Sequence, residues 1–299
     1  MAEPAVLIKD VRKCFGKRVA LENLSLEIPQ DAIFGLIGPN GSGKTTTLRL
    51  ILNIYQPDQG EVWTLGQIGM RAANDRIGYL PEERGLYRKM KVGAQLKYFA
   101  HLKGMQGSAI DASIDAWLAR MGLSDCKHMR IEQLSKGMAQ KIQFISAVIF
   151  KPRLIILDEP FSGLDPVNLD LLNRVIHELR ASGVTIVLST HDMAVAERLC
   201  DCVVMVDRGH KVLDGSIRSI REEYGQDKIH LGFSGRREQI EGIPGVESIN
   251  EIGRLFEVSY QDSPQVLLKT LLERGAVTHF ELAHPSLHDI FVRKVGEGV

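Results

Sequence analysis

The 299-residue sequence has no net charge, because 37 lysines and arginines balance 37 aspartates and glutamates. Without a basic surplus, bulk electrostatics gives no reason to expect a nucleic-acid partner. Long apolar runs are also missing. None approaches the ~18–20 residues that a membrane-spanning helix needs, so work at a membrane would require another protein to hold the chain there. The opening MAEPAVLIKD has no basic stretch followed by an apolar one, and no secretory signal is expected. Cysteine is scarce, and Cys14, Cys126, Cys200 and Cys202 show no CxxC spacing. They are expected to be reduced, packed thiols and not a disulfide or metal framework. Charged residues at 25% and hydrophobic ones at 44% leave a globular chain, long enough for one large or two ordinary domains.

What the sequence does contain is a phosphate loop. The apolar run Ile33 to Ile37 enters GPNGSGKT, which is GxxxxGK[ST], and the helix-like TTTLRLILNIY follows. Gly38, Gly41 and Gly43 let backbone N–H groups turn inward, and Pro39, Asn40, Ser42 and Thr46 complete the loop. The helix start adds a partial positive charge where phosphates sit. Lys44 can reach the β- and γ-phosphates of a nucleotide, and the Thr45 hydroxyl can hold Mg²⁺. A second strand-like run, Leu154 to Leu157, ends on Asp158 and Glu159. Asp158 is expected at the metal, and Glu159 is placed to orient or deprotonate an attacking water.

Three further stretches follow the order of one family. LSKGMAQ starts at Leu134, SGLD covers Ser162 to Asp165, and VTIVLSTHD leaves a strand at His191. Together with the two motifs above, they resemble the signature, D-loop and switch histidine of ABC-type ATPase cassettes over roughly residues 5–215. The resemblance implies a P-loop α/β fold with a RecA-like core, a β-rich flank and a helical subdomain. It implies ATP and Mg²⁺ as ligands, and two cassettes paired head to tail over two ATPs. Each signature would then serve the opposite cassette, with Ser135 and Gly137 near its γ-phosphate. Ser135 is also a good N-cap for the helix whose apolar face is Met138, Ile142, Ile145 and Ile149. Lys136 and Met138 stand where the family commonly has glycine and glutamine. By the same resemblance His191 contacts the γ-phosphate, Asp165 addresses the opposite site, and Phe15, 29 residues before Lys44, stacks on adenine.

Residues 79–87 read YLPEERGLY. Most cassettes have a glutamine at the position of Glu82, between the Mg²⁺–water site and the membrane-subunit contact. Glu82 is therefore expected near the metal, with a coupling role as the alternative, while Glu83 and Arg84 read as an exposed local pair.

The cassette is expected over residues 1–220, with short alternating strands at 5–35 and 60–65 and a helical subdomain at about 86–150. Apolar stripes there are Val92, Leu96 and Phe99, then Ile114, Trp117, Leu118 and Met121. Residues 221–299 open on a charged, linker-like REEYGQDK. KIHLGF, RLFEVSY and VTHFEL then read as strands, SPQVLLKTLLERG as a helix capped at Ser263, and SLHDIFVRKV as a last helix. This alternation suggests a small ferredoxin-like α+β domain. It is similar to the extension of some efflux-type ABC ATPases, and GYLPEERGLY and LSKGMAQK point to the same sodium- and drug-efflux branch. The expected function is the ATP-hydrolysing subunit of an ABC exporter, a homodimer on the inner face of the cell membrane, bound to an integral-membrane permease. The alternative is a soluble ABC ATPase acting on DNA or ribosomes, whose usual coiled coils, zinc modules or second cassette are not visible.

Overall fold

The computed structural model describes residues 3–68, 76–83, 85–224, 228–283 and 285–296. Arg84 of the expected Glu83–Arg84 pair lies outside them. The chain divides into two compact units, residues 1–215 and 216–299.

The first unit begins with β1 (Val6–Phe15) and β2 (Arg18–Ile28), an antiparallel hairpin that β4 (Gln59–Thr64) and β5 (Gln67–Ile68) extend in the order β2-β1-β4-β5. β1 and β2 have 10 and 11 residues, longer than the short strands expected. They stay paired over that length because register shifts, with Asp10 and Asn23 in the left-handed region, let the ribbon bend. A second sheet runs β10 (His210–Ser216), β9 (Cys202–Asp207), β3 (Ile33–Ile37), β8 (Thr185–Thr190), β7 (Leu154–Asp158) and β6 (Ile77–Leu80). β9, β3, β8, β7 and β6 pair in parallel. Every residue of IFGLI, LIILD and TIVLST is buried, as expected for strands covered on both faces.

α1 (Lys44–Ile51) follows β3, α5 (Pro166–Ala181) follows the β7 turn, and α6 (Met193–Leu199) follows β8. Between β6 and β7 lie α2 (Val92–Leu102), α3 (Ala109–Arg120) and α4 (Lys136–Val148). Val92 and Leu96 of the first expected stripe, and Ile114, Leu118 and Met121 of the second, are fully buried. Phe99 and Trp117 are half-buried at the edge of the same core. Cys126 and Cys200 are buried, Cys14 and Cys202 half-buried, and all four are free thiols. A side chain on Gly35 would approach the Cys200 Sγ to 2.8 Å, so this thiol fills the space that the glycine leaves.

The second unit starts with α7 (Ile217–Glu223). The charged REEYGQDK, expected as a linker, therefore opens inside a helix, while Gly225, Gln226 and Asp227 lie outside the described residues. Ser216 caps α7 by accepting from the Ser219 N–H, and Ile217 and Ile220 are buried one turn apart, which outweighs the charge of the run. Then come β11 (Lys228–Phe233), α8 (Arg237–Glu241), β12 (Val246–Ile252), β13 (Leu255–Tyr260), α9 (Pro264–Arg274), β14 (Val277–Ala283) and α10 (Leu287–Gly296). The sheet order β12-β13-β11-β14, all antiparallel, is the βαββαβ arrangement of ferredoxin-like domains. α8 and β12 were not foreseen. α8 is a single short turn of helix, and in β12 only Ile249 is buried, so neither has a clear apolar period. Ser263 stands at the N-cap of α9, but its hydroxyl donates to Gln265 and does not cap the helix.

Candidate functional site

β3, β8 and β7 are neighbours, and their C-terminal ends deliver the three chemical segments side by side. This is where ligands bind in open α/β sheets. The loop after β3 turns on Gly38, Gly41 and Gly43 at φ +148°, +78° and +116°. A Cβ on Gly38 would lie 2.1 Å from the Val206 carbonyl oxygen, and one on Gly43 2.9 Å from that of Ala20. Any side chain would therefore push the loop away from β9 or β2. Lys44 is buried, and its ammonium donates to the carbonyls of Gly38 at 2.8 Å and Pro39 at 3.1 Å. Burial pushes the lysine's pKa down, and the Glu159, Asp158 and Glu82 carboxylates pull it back up.

The end of β7 is built around one hydroxyl. Ser189 of β8 donates to Asp158 Oδ1 at 2.5 Å, and its Oγ accepts from the Glu159 backbone N–H at 3.1 Å. Asp158 is 1% exposed and also accepts from the Thr45 hydroxyl at 3.4 Å. Glu159 sits at φ +50°, a conformation that a non-glycine residue adopts at a cost of about 1–3 kcal/mol. The bonds to Ser189 hold it there. Its carboxylate lies 2.9 Å from His191 Nδ1 and 3.9 Å from the Lys44 ammonium. Proton-accepting, cationic and oxygen-ligand groups thus converge within a few ångströms.

A cleft of about 530 Å³ opens over these groups, lined by Phe15, Asn40, Lys44, Thr45, Glu82 and Glu159 among others. Thr46 and Gly41 also line it, as do Arg18 and Ala20, which sequence reading missed. The β1–β2 hairpin pairs Phe15 with Arg18, so the aromatic brings a guanidinium with it. The Arg18 Nη2 lies 3.6 Å from where a Gly41 Cβ would stand. Ser189 was also missed, although a serine inside the otherwise apolar TIVLST, two residues before His191, was a visible signal. The Ser42 hydroxyl is buried behind the loop, against Gly38.

Ser135 and Gly137 do not line this cleft. Ser135 is the N-cap of α4, its hydroxyl accepting from the Met138 N–H at 3.3 Å, and Ser135 and Lys136 are exposed. The Lys136 side chain lies over Gly163 of SGLD, where an added Cβ would approach its Nζ to 2.4 Å. Asp165 caps α5 by accepting from the Asn168 N–H at 3.0 Å. Signature and SGLD loop are thus neighbours, and neither is among the residues that line the chain's own cleft. α4 also reaches Glu82: the Gln143 side chain donates to the carbonyls of Pro81 and Glu83 at 3.0 and 3.2 Å.

Thr45 and Asp158 fit Mg²⁺ by the chemistry of their donors, because a hydroxyl from the first turn of α1 and a carboxylate oxygen from the end of β7 converge, with Glu82 among the residues lining the same cleft. No group of three His, Cys, Asp or Glu among the described residues could hold a metal without further ligands.

Comparison with known proteins agrees with this geometry. The family model described as "ABC transporter" matches residues 21–162, and "ATP-binding protein DrrA1-3-like, C-terminal domain" matches residues 215–295. The chain is 42% identical to the uncharacterized ABC transporter ATP-binding protein YhaQ of Bacillus subtilis, over 97% of this chain and 98% of that one. It is 32% identical to the Nod factor export ATP-binding protein I of a Rhizobium species, over 99% and 98%. A solved structure of the ATP-binding subunit of an ABC transporter superposes with a TM-score of 0.69 at 29% identity, covering 74% of this chain and 93% of that one. The five motifs, the strand order that gathers them and a likeness running nearly end to end show that the chain belongs to the ATP-binding subunits of the ABC transporter family.

Proposed function

We propose that the chain hydrolyses ATP and so drives export through a separate integral-membrane permease. The observation that carries this reading is the convergence of Lys44, Asp158, Glu159, Ser189 and His191 under one cleft. ATP would lie with its base against Phe15 and its phosphates in the loop from Gly38 to Thr46, with Lys44 exchanging its carbonyl partners for phosphate oxygens. Mg²⁺, held by Thr45 and Asp158 with Glu82 nearby, supplies charge neutralisation at the phosphates when bound. Glu159 orients a water for attack on the γ-phosphorus and accepts its proton, while His191 holds the carboxylate. The bond between the γ-phosphorus and the bridging oxygen breaks, giving ADP and phosphate.

One chain forms only part of this arrangement. The α4 start and Asp165 lie outside its own cleft, which supports a head-to-tail homodimer in which each copy gives Ser135 and Gly137 to the other's ATP. A groove of about 460 Å³, lined by Ile54, Tyr79, Leu86, Phe99, Ala147 and Phe150, is the proposed seat for a cytoplasmic helix of the permease. No helix among the described residues is long and apolar enough to cross a membrane, so the groove would hold the chain at the inner face of the cell membrane. The name of the Nod factor relative supports export. Purification in mild detergent from native membranes tests the whole reading. A multi-span partner and Mg²⁺-dependent phosphate release from the complex are expected, while ribosomes or DNA in its place would overturn it.

A further inference from the structure

The strands that end at the nucleotide cleft begin beside a second concave site. Arg153 directly precedes β7 and Val184 directly precedes β8, whereas Asp158 and His191 stand where those strands finish. A cavity of about 800 Å³ opens at the strand starts, walled by α3 on one side and by the end of α5 on the other. It shares no lining residue with the nucleotide cleft or with the apolar groove. Its size falls within the range of small-molecule sites.

The lining divides by depth. Val148 and Pro152 are buried, and Leu179 and Val184 are half-buried, so the interior is aliphatic. Arg120, Lys151 and Arg153 are exposed at the mouth, and no carboxylate is among the described residues that line the cavity. In a chain whose charges balance at 37 each, this is a local cationic excess.

The backbone fixes two of these cations while their side chains stay uncommitted. Lys151 is held at φ +58°, its N–H donating to the Val148 carbonyl at 3.0 Å. The Arg153 N–H donates to the Arg76 carbonyl at 2.8 Å, and its own carbonyl accepts from the Thr185 N–H at 3.0 Å. Neither side chain has an ion-pair partner among the described residues. Arg120 is committed. It pairs with Glu178 of α5 and lies over the Trp117 ring, 4.7 Å from its centre, while Trp117 meets Phe144 edge to face at 6.5 Å. With a guanidinium already on the indole, the cavity offers a ligand aliphatic contact more than ring stacking. A hydrocarbon body gains by leaving water for such an interior. At the mouth, the planar fork of Arg153 matches a carboxylate, and Lys151 adds a point charge.

We propose that this cavity binds a small aliphatic carboxylate, its head on Lys151 and Arg153 and its chain among Val148, Leu179 and Val184. The site is separate from the nucleotide cleft and does not depend on how that cleft is read.

Octanoate titrated into the full chain tests it, followed by methyl NMR, with 1-octanol as the chain without the charge and acetate as the charge without the chain. Octanoate should give saturable shifts at Val148, Leu179 and Val184, also with ATP present at saturation. Octanol should bind about tenfold more weakly, the equivalent of one charge-assisted hydrogen bond, and acetate should leave these methyls unmoved. Lys151→Asn with Arg153→Gln, the asparagine chosen because it tolerates positive φ, should weaken octanoate about tenfold and leave octanol within about twofold. Ala116→Phe, at an exposed position of α3 that lines the cavity, should exclude both probes without changing any charge. Equal affinity for octanoate and octanol overturns the proposal. So does octanoate binding that survives both variants, that shifts methyls elsewhere, or that ATP displaces.

Discussion

Among the described residues every buried Lys, Asp, Glu, Gln, Ser or Thr lies between Ser42 and Thr190, in the first unit. Both units have full apolar cores, built on strands such as LIILD in the first and on Ile229, Leu231, Val258, Leu267 and Leu271 in the second. The difference lies in where charge is kept. Burying Lys44, Asp158 and Glu159 costs desolvation that only mutual pairing and hydrogen bonds offset. Such groups persist where a reaction needs them. In the second unit Lys228 pairs with Glu257 at 2.8 Å across the two inner strands, β11 and β13, with side chains still 16% and 14% exposed and so partly screened by water.

The largest expected effect comes from changing one atom in the buried set. Glu159→Gln keeps the size, the φ +50° backbone and the Ser189 bonds, and removes the proton acceptor. Phosphate release should fall by about 10²–10⁴-fold, with ATP affinity by calorimetry retained. Near-normal turnover would show that the buried carboxylate is structural, and the contrast between the units would then lose its chemical meaning.

A core deletion in the second unit is the complementary test. Leu271 is fully buried in α9, and Leu271→Ala should destabilise the unit by about 2–5 kcal/mol. Hydrogen exchange in β11 to β14 should rise, while ATP affinity stays within about twofold, as expected for sites without shared partners. A parallel loss of ATP affinity would show that the second unit supports the cleft.

The same contrast explains what could be read from the sequence. The cleft was legible because phosphate chemistry demands residue types at fixed spacing: Gly43, Lys44 and Thr45 in one loop, Asp158 and Glu159 at one strand end. Ser135 was legible as a helix cap for the same local reason, and the structure gives it that bond. Arg18 was not, because only the hairpin register places it beside the loop. Ser189 acts on residues 30 and 31 positions away in the chain, and no local pattern announces such pairs. In the second unit the missed α8 and β12 bury a single residue each, and the two buried isoleucines of α7 run into the charged REEY, whereas Leu267 and Leu271 marked α9 clearly.

The smallest effect is expected where charge is least buried. Asp289 accepts from the Ser286 hydroxyl at 2.8 Å and from the Lys228 ammonium at 3.4 Å, while its own N–H donates to Ser286 Oγ at 3.1 Å. Burial pushes the Asp289 carboxyl up, but the Ser286 bonds and Lys228 outweigh it and hold the pKa below the usual aspartate range. A carboxyl whose pKa is lower folded than unfolded stabilises the fold above its unfolded value, ~3.9. That contribution is lost as pH falls through the folded value. Acid titration followed by the amide signals of β11 and α10 should therefore show a shallow loss of stability below about pH 4, and Asp289→Asn should flatten it. Because the group is partly exposed, solvent screening keeps the effect small. A slope unchanged by Asp289→Asn would show that the Ser286 and Lys228 contacts do not link this carboxyl to the stability of the unit.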